Sequence, residues 1–294
     1  MLIFLTIFQY LVQASVDVAD KFLISARKIR PLSYTFYTVI FGVLIALAWP
    51  FVYFHLPAHI IFLNLLAGIW FTVAYYIFYK ALEGGEVSRV VPFIFGLLPV
   101  FDIILQTVFH VTNFRINEAA AILLLIPGAL LISHTPGKFS AKHIGLKVVA
   151  AAMLSGYNLL WHFSSQVGPI MNSLIWNRIG GAGILLVLLI FPQARKNIFG
   201  FAAVKNKQQT GILFLAKQII GGANFIFLSF LLSIGSVPII DSLQGFRYVF
   251  LFLAGLFLTK KYKHILEEDV SKKVFRQKMF AVVLIFLGTI ILFV

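Results

Sequence analysis

The chain alternates between apolar blocks and short polar connections, and this pattern restricts its fold more than any other feature. The blocks are about 20 residues long, the length that a helix needs to cross roughly 30 Å of hydrocarbon. Of the 294 residues, 61% are hydrophobic and 12% are charged, about half the charged fraction of a soluble domain. The short alternating segments typical of a membrane β-barrel are not seen. The pattern predicts an all-α integral membrane protein.

We expect ten transmembrane helices. Their approximate bounds are 2–25, 32–54, 58–80, 88–109, 117–134, 144–163, 169–191, 211–233, 237–258 and 277–294. The connections are short, apart from 192–210 and 259–276. Small loops leave little room for an extramembrane domain, which argues against a receptor or a scaffold.

Positive charge falls on one set of connections. Twenty of the 24 Lys and Arg residues flank the odd-numbered connections, and the even-numbered ones hold only Arg115. Because short cytoplasmic loops are enriched in Lys and Arg, we expect odd connections in the cytoplasm and both termini outside. The net charge of +14 then serves orientation and contact with membrane lipids, not nucleic-acid binding. We expect a multi-pass protein of a prokaryotic inner membrane, and a homodimer is left open.

Composition also limits the chemistry. The absence of cysteine excludes disulfides, thiolate metal sites and a cysteine nucleophile. His55 and His59 are four residues apart but flank Pro57 without a third nearby ligand, so we expect no metal. No cofactor is expected, and no cleavable signal is evident at the N-terminus. No phosphate-binding loop of the G-x-x-x-x-G-K-[ST] type occurs, so ATP is not expected to be the energy source.

Weak internal similarity divides the chain into two halves. Pro31 and Gly42 match Pro169 and Gly180 at an offset of 138, and the segments around Gly85 and Gly235 match at an offset of 150. We therefore expect two five-helix repeats, residues 1–135 and 142–294. Because five is odd, the second repeat enters the membrane from the opposite side. Such inverted repeats place a substrate site near the midplane, between the halves.

Residues 81–105 hold the strongest local signal. Pro92, Gly96 and Pro99 lie inside the fourth block, and Asp102 follows one turn later. Internal prolines remove backbone donors, which membrane helices tolerate when neighbouring helices or cavity water satisfy the freed carbonyls. We interpret Pro92, Gly96 and Pro99 as a hinge, in a helix that is either broken and lines a cavity or kinked and structural.

Several short segments, taken in order, resemble the EamA-type ten-helix carriers of the drug/metabolite transporter superfamily. They are Asp20-Lys21-Phe22, Tyr79-Lys80-Ala81-Leu82, Ser88 to Pro99, Gly235-Ser236-Val237-Pro238 and Gly288-Thr289-Ile290. The resemblance implies a secondary transporter and no enzyme activity. Two features depart from the family pattern: the termini are expected outside, and Tyr248 stands where the ninth helix usually has a proline.

Charges inside apolar blocks are functional candidates, because an unpaired charge in hydrocarbon costs several kcal/mol. Arg178, Arg247 and Asp102 lie deepest, and two alternatives fit them. They form either a structural Asp102–arginine clamp or a polar cavity that binds an anionic or zwitterionic substrate. Nearer the membrane faces, Asp17 and Lys21 have the spacing of an intrahelical ion pair, and Asp241 lies in the first turn of its span.

Aromatic and polar residues complete the predicted pocket, with the substrate between the fourth and ninth spans. The candidate substrate-binding residues are Asp102, Tyr76, Tyr157, Asn158, Trp161, Asn177, Arg178, Lys217, Gln244, Arg247 and Tyr248. Asp17 and Asp102 are candidate proton-coupling residues. Tyr79, near a span end, is expected in an interfacial aromatic belt.

The expected function is secondary transport of a small metabolite, such as an amino acid, by alternating access. The alternative is a membrane enzyme acting on lipid or polyprenyl phosphates, with Arg178, Lys217 and Arg247 binding phosphate.

Overall fold

A computed structural model describes residues 1–52, 54–111, 115–133, 141–200, 204–234, 240, 243–261 and 271–291. All regular structure in these ranges is helical. The helices are α1 (Leu2–Lys21, continued by a π-helical turn, Phe22–Ala26), α2 (Pro31–Val43, continued by a 3₁₀ turn, Leu44–Ala48), α3 (Trp49–Val52), α4 (Ala58–Glu83), α5 (Val87–Val108), α6 (Ile116–Ser133), α7 (Ala141–Ser165), α8 (Ile170–Leu188), α9 (Pro192–Phe199), α10 (Lys207–Ile234), α11 (Gln244–Lys261) and α12 (Lys272–Ile291).

Eight helical segments among the described residues are long and apolar enough to cross a membrane. They are Leu2–Ala26, Pro31–Val52, Ala58–Glu83, Val87–Val108, His143–Ser165, Ile170–Leu188, Lys207–Leu228 and Lys272–Ile291. The apolar stretch of α6, Ile116–Ile132, is shorter. The protein is therefore an integral membrane helical protein, while the count of ten spans stays a prediction.

Two local differences from the sequence-based expectation matter below. The described helix of the ninth predicted span begins at Gln244, after a turn at Leu243, so Arg247 lies in its first turn; the predicted start near residue 237 lies outside the described residues. The connection 192–210 contains an unpredicted helix, α9, which starts at Pro192. Proline suits this first position, because its fixed φ matches a helix and its missing N–H has no intrahelical partner there.

The packing mixes the two halves of the chain. α1 packs against α10 and α11, whereas α7 packs against α4 and α5. α6 packs against α12, and α8 against α2 and α4. A continuous core of buried side chains, including Leu82, Phe93 and Leu251, joins these helices. Helices from residues 1–135 therefore pack directly against helices from residues 142–294.

Glycines bring α4 and α8 into close contact. A Cβ atom at Gly180 would overlap the backbone of Leu65, and one at Gly68 would overlap the carbonyl of Asn177. A Cβ atom at Gly181 would lie 2.6 Å from Thr72 Oγ1. Small residues let membrane helices approach closely enough for dispersion contacts between backbones. This crossing fixes the position of Arg178, which lies two residues before Gly180.

The proline-containing helix α5 is continuous from Val87 to Val108, with Pro92 and Pro99 inside it. The broken-helix interpretation is therefore wrong. Gly96 has a packing role, since a Cβ atom there would lie 3.0 Å from Ile285 of α12. Whether Pro92, Gly96 and Pro99 act as a hinge stays a prediction.

Candidate functional site

A buried ion pair joins α1 to α11. The Nε and Nη2 atoms of Arg247 donate to the two carboxylate oxygens of Asp17 at 2.8 and 3.0 Å. Arg247 is also stacked over Phe95 of α5, with its guanidinium carbon 4.4 Å from the ring centroid. Two parallel bonds from a guanidinium give both strength and fixed geometry. A cation in the first turn of a helix is unfavourable for the helix dipole, and the carboxylate of Asp17 offsets this.

A second buried ion pair lies one turn further along α1. Lys217 Nζ of α10 is 2.7 Å from Asp20 Oδ1, and the Tyr34 hydroxyl also donates to that carboxylate. The ring of Tyr34 packs edge-on against Tyr79, with centroids 4.8 Å apart. Tyr79 is 1% exposed. The prediction that Tyr79 belongs to an interfacial belt is therefore wrong, because its ring is part of the core.

Arg178 of α8 has a different environment. Its guanidinium carbon lies 4.6 Å from the ring centroid of Phe71, and no carboxylate of the described residues lies within ion-pair distance. Gly42 of α2 leaves room for its side chain, since a Cβ atom there would be 3.2 Å from Arg178 Cδ. Arg178 is thus a half-buried cation held by aromatic stacking and helix packing.

The aromatic wall beside Arg178 comes from α4 and α7. Phe71 packs against Tyr75 and Tyr157 with ring centroids 4.3 and 4.9 Å apart, and Tyr157 lies 6.2 Å from Trp161. Tyr157 and Trp161 are one helical turn apart and so share a face of α7. We call Phe71, Tyr75, Tyr157 and Trp161 the aromatic wall. Such surfaces with a few polar groups are typical of small-molecule sites.

Asp102 of α5 is bound by neutral groups of α7. Ser155 Oγ donates to Asp102 Oδ1 at 2.6 Å, and Asn158 Nδ2 lies 3.3 Å from Oδ2. The structure therefore contradicts the Asp102–arginine clamp. A carboxylate with only neutral partners is electrostatically uncompensated, unlike Asp17 and Asp20.

The other candidates occupy varied surroundings. Asn177, next to Arg178, is 1% exposed, and neither side-chain polar atom has a partner among the described residues. Tyr248 is buried beside Arg247, and Gln244 is half-buried one turn earlier. Tyr76 lies under Lys80, with Nζ 5.9 Å from its ring centroid, and is not part of the aromatic wall.

The structure also corrects the expected Asp17–Lys21 pair. Asp17 bonds to Arg247, while Lys21 Nζ donates to the backbone carbonyls of Leu82 and Glu83 at 2.9 and 3.2 Å. These bonds tie α1 to the end of α4. Asp241 lies outside the described residues.

Sequence reasoning missed the contributions of Phe71, Phe95 and Ser155. The chain contains 32 phenylalanines, so composition alone cannot single out the two that face arginines. The predicted repeat did point to Ser155. It lies 138 residues after Asp17, the same offset that relates Pro31 to Pro169, and so it occupies the position equivalent to Asp17.

Comparison with protein families gives a match to the first half of the chain. Residues 1–134 match the model of the EamA-like transporter family. The first half of the chain is EamA-like. For residues 1–134, this confirms the resemblance to carriers of the drug/metabolite transporter superfamily. Together with the eight apolar helices, the match indicates a multi-pass membrane protein whose first half is similar to a transporter family.

Comparisons with whole chains add little. No curated protein matches the chain. A solved structure, titled only "Crystal structure of protein", aligns over 99% of this chain and 94% of that one, at 15% identity and a TM-score of 0.46. At that score the likeness carries no argument.

The two arginines should respond differently to substitution. Arg247→Gln removes the partner of a buried carboxylate, so we expect it to reduce the free energy of unfolding by roughly 3–5 kcal/mol. Arg178→Gln loses only a cation–π contact of about 0.5–2 kcal/mol. Unfolding in detergent micelles measures both.

The double variant Asp17→Asn/Arg247→Gln serves as the control, because it removes both charges together. We expect it to be more stable than Arg247→Gln alone. Equal stability of Arg247→Gln and Arg178→Gln would contradict the assignment of the buried pair.

Proposed function

We propose that this protein is a secondary transporter of a small anionic or zwitterionic metabolite, such as an amino acid, working by alternating access between two five-helix halves. The observation that carries the proposal is the environment of Arg178. Of the three cations Arg178, Lys217 and Arg247, it alone has no carboxylate partner among the described residues. A half-buried guanidinium without a protein counter-ion can receive a carboxylate from a substrate through two parallel bonds.

Asp102 supplies the complementary charge. α7 connects it with the aromatic wall, because Tyr157 packs on Phe71 under Arg178 while its neighbour Asn158 bonds to Asp102. A substrate lying along α7 would place a carboxylate near Arg178 and an ammonium group near Asp102. The aromatic wall would contact its apolar part. This arrangement suits a zwitterion better than a simple anion.

Pairing of equivalent helices supports the inverted repeat. With five helices per half, the first and sixth spans correspond, as do the fourth and ninth. Asp17–Arg247 joins the first and ninth spans, and Ser155–Asp102 joins the sixth and fourth. The two deep polar contacts therefore use corresponding helix pairs. Helices on both sides of such an interface can rock about a central site.

The enzyme alternative needs Arg178, Lys217 and Arg247 to act together on a phosphate. Lys217 and Arg247 are each paired with an aspartate of α1, at 2.7 and 2.8 Å, and Arg178 stacks on a different surface. In the part of the chain that the structure describes, no group of three His, Cys, Asp or Glu side chains is placed to hold a metal ion. These contacts favour transport over phosphate chemistry.

Substituting Arg178 tests the proposal. Loss of a charge-assisted hydrogen bond costs about 1.5–3 kcal/mol, so we expect Arg178→Gln to slow uptake at subsaturating substrate by roughly 10- to 150-fold. The measurement is uptake of labelled amino acids into liposomes that contain the purified protein. Arg115→Gln, the same change in an exposed connection, should leave the rate unchanged. Equal rates for wild type and a folded Arg178→Gln protein would contradict the binding role.

Asp102 is the proposed proton-coupling residue, because its partners Ser155 and Asn158 are neutral. Asp102→Asn keeps the shape and a hydrogen-bonding oxygen but cannot gain or lose a proton. We expect it to abolish accumulation driven by a pH gradient. Substrate exchange between two filled compartments should be slowed but not abolished, because asparagine lacks the charge that faces the ammonium group but keeps a hydrogen-bonding oxygen. Accumulation as in the wild type would contradict this role. Equal loss of both activities would contradict the coupling role and leave only the binding role of Asp102.

A further inference from the structure

The short helix α9 is anchored to the membrane bundle by one of its faces. Ile198 is fully buried and packs with Phe36, Val39 and Leu185. Arg30 Nη1 donates to Asn197 Oδ1 at 2.9 Å, and Ser33 Oγ donates to the Asn197 carbonyl at 2.8 Å. These contacts fix the rotation of α9 about its axis, and so they determine what its other face presents.

A groove of about 540 Å³ runs along that other face. Its lining residues are Pro192, Arg195, Lys196, Phe199 and Gly200. The spacing of three, four and seven residues places these side chains in one row along a helix. The groove is therefore a continuous surface, with two adjacent cations in its middle and a phenylalanine at its end.

The groove carries uncompensated positive charge. Arg195 and Lys196 are exposed, and neither forms an ion pair with any described residue. A third cation stands near the rim, since Arg30 Nη1 is 3.5 Å from a Cβ atom placed on Gly200. Among the described residues, no carboxylate lines the groove. The chemistry is that of a site for a phosphate-bearing anion.

The position of the groove indicates where that anion comes from. α9 directly follows α8, and the residues at their junction, Ile190 and Phe191, are 72% and 57% exposed. Phe199, at the far end of the groove, is 47% exposed. Apolar side chains on both sides of exposed cations are typical of the boundary between acyl chains and headgroups. Because Lys and Arg are concentrated in the odd-numbered connections, which include this one, we expect this boundary in the cytoplasmic leaflet. That leaflet is rich in anionic lipid.

We propose that the α9 groove binds the headgroup of an anionic phospholipid. Arg195 and Lys196 hold the phosphate and a headgroup oxygen, and Phe199 lies against the start of an acyl chain. The site is separate from Arg178 and Asp102, so the proposal does not depend on which substrate is transported.

The test measures binding of dioctanoyl-phosphatidylglycerol, below its micelle concentration, to the full-length protein in a neutral detergent. We expect Arg195→Gln/Lys196→Gln to weaken binding on the order of 30-fold, since each basic side chain at an anionic surface contributes roughly fivefold. The matched control is Lys205→Gln/Lys207→Gln, which removes the same charge from the same connection but outside the groove. It should change the affinity by less than about threefold.

Three results would overturn the proposal. The first is equal loss of affinity in both double variants, which would show diffuse attraction only. The second is equal binding of dioctanoyl-phosphatidylcholine, which would show that the negative charge is not recognised. The third is equally tight binding of glycerol phosphate, which would show an anion site rather than a lipid site. A shared thermal unfolding midpoint of the unliganded proteins confirms that both variants fold.

Discussion

Two buried ion pairs, Asp17–Arg247 and Asp20–Lys217, determine how the rest of the structure is arranged. Each aspartate belongs to α1 and each cation to the second half of the chain. In an apolar bundle, a charge left without a partner costs several kcal/mol, and so each member holds the other in place. The pairs therefore fasten α1 to α10 and α11. Of the candidate cations Arg178, Lys217 and Arg247, the pairs engage the last two. Arg178 has an aromatic neighbour in place of a carboxylate among the described residues.

In the proposed inverted repeat, the two deep polar contacts join corresponding helix pairs but use different chemistry. The first and ninth spans meet through a bidentate ion pair, which resists separation. The sixth and fourth meet through Ser155 and Asp102, a hydrogen bond in which the carboxylate has no cation. Opening the second contact separates no opposite charges, so this polar contact resists opening less than the ion pair does. A substrate ammonium group or a proton can occupy the position beside Asp102 that Arg247 occupies beside Asp17. This asymmetry is the basis for placing the site along α7.

Much of the fold was predictable, because hydrocarbon thickness sets the length of apolar segments. Apart from the start of α11, the ends of the predicted spans agree with the described helices to within five residues. The deep charges were also found, but not their partners. The sequence suggests Lys21 as the partner of Asp17, four residues away on the same helix, because a sequence shows local spacing and not which helices meet. Two residues of the aromatic wall, Tyr157 and Trp161, are among the candidates predicted from the sequence. Phe71 is not, because nothing in the sequence distinguishes it from the other phenylalanines among the 32 in the chain.

Access of water to α7 tests the central claim most directly. The chain contains no cysteine, so Asn158→Cys introduces one thiol beside Asp102. Leu123→Cys places one on α6, at a residue that is 74% exposed on the outer surface of the bundle. A charged, membrane-impermeant thiosulfonate is added to both sides of liposomes containing the protein, and it reacts only with thiolates that water reaches. The proposed cavity predicts that Asn158→Cys is modified and Leu123→Cys is not. An unreactive Asn158→Cys that becomes reactive only on unfolding would contradict a substrate path along α7.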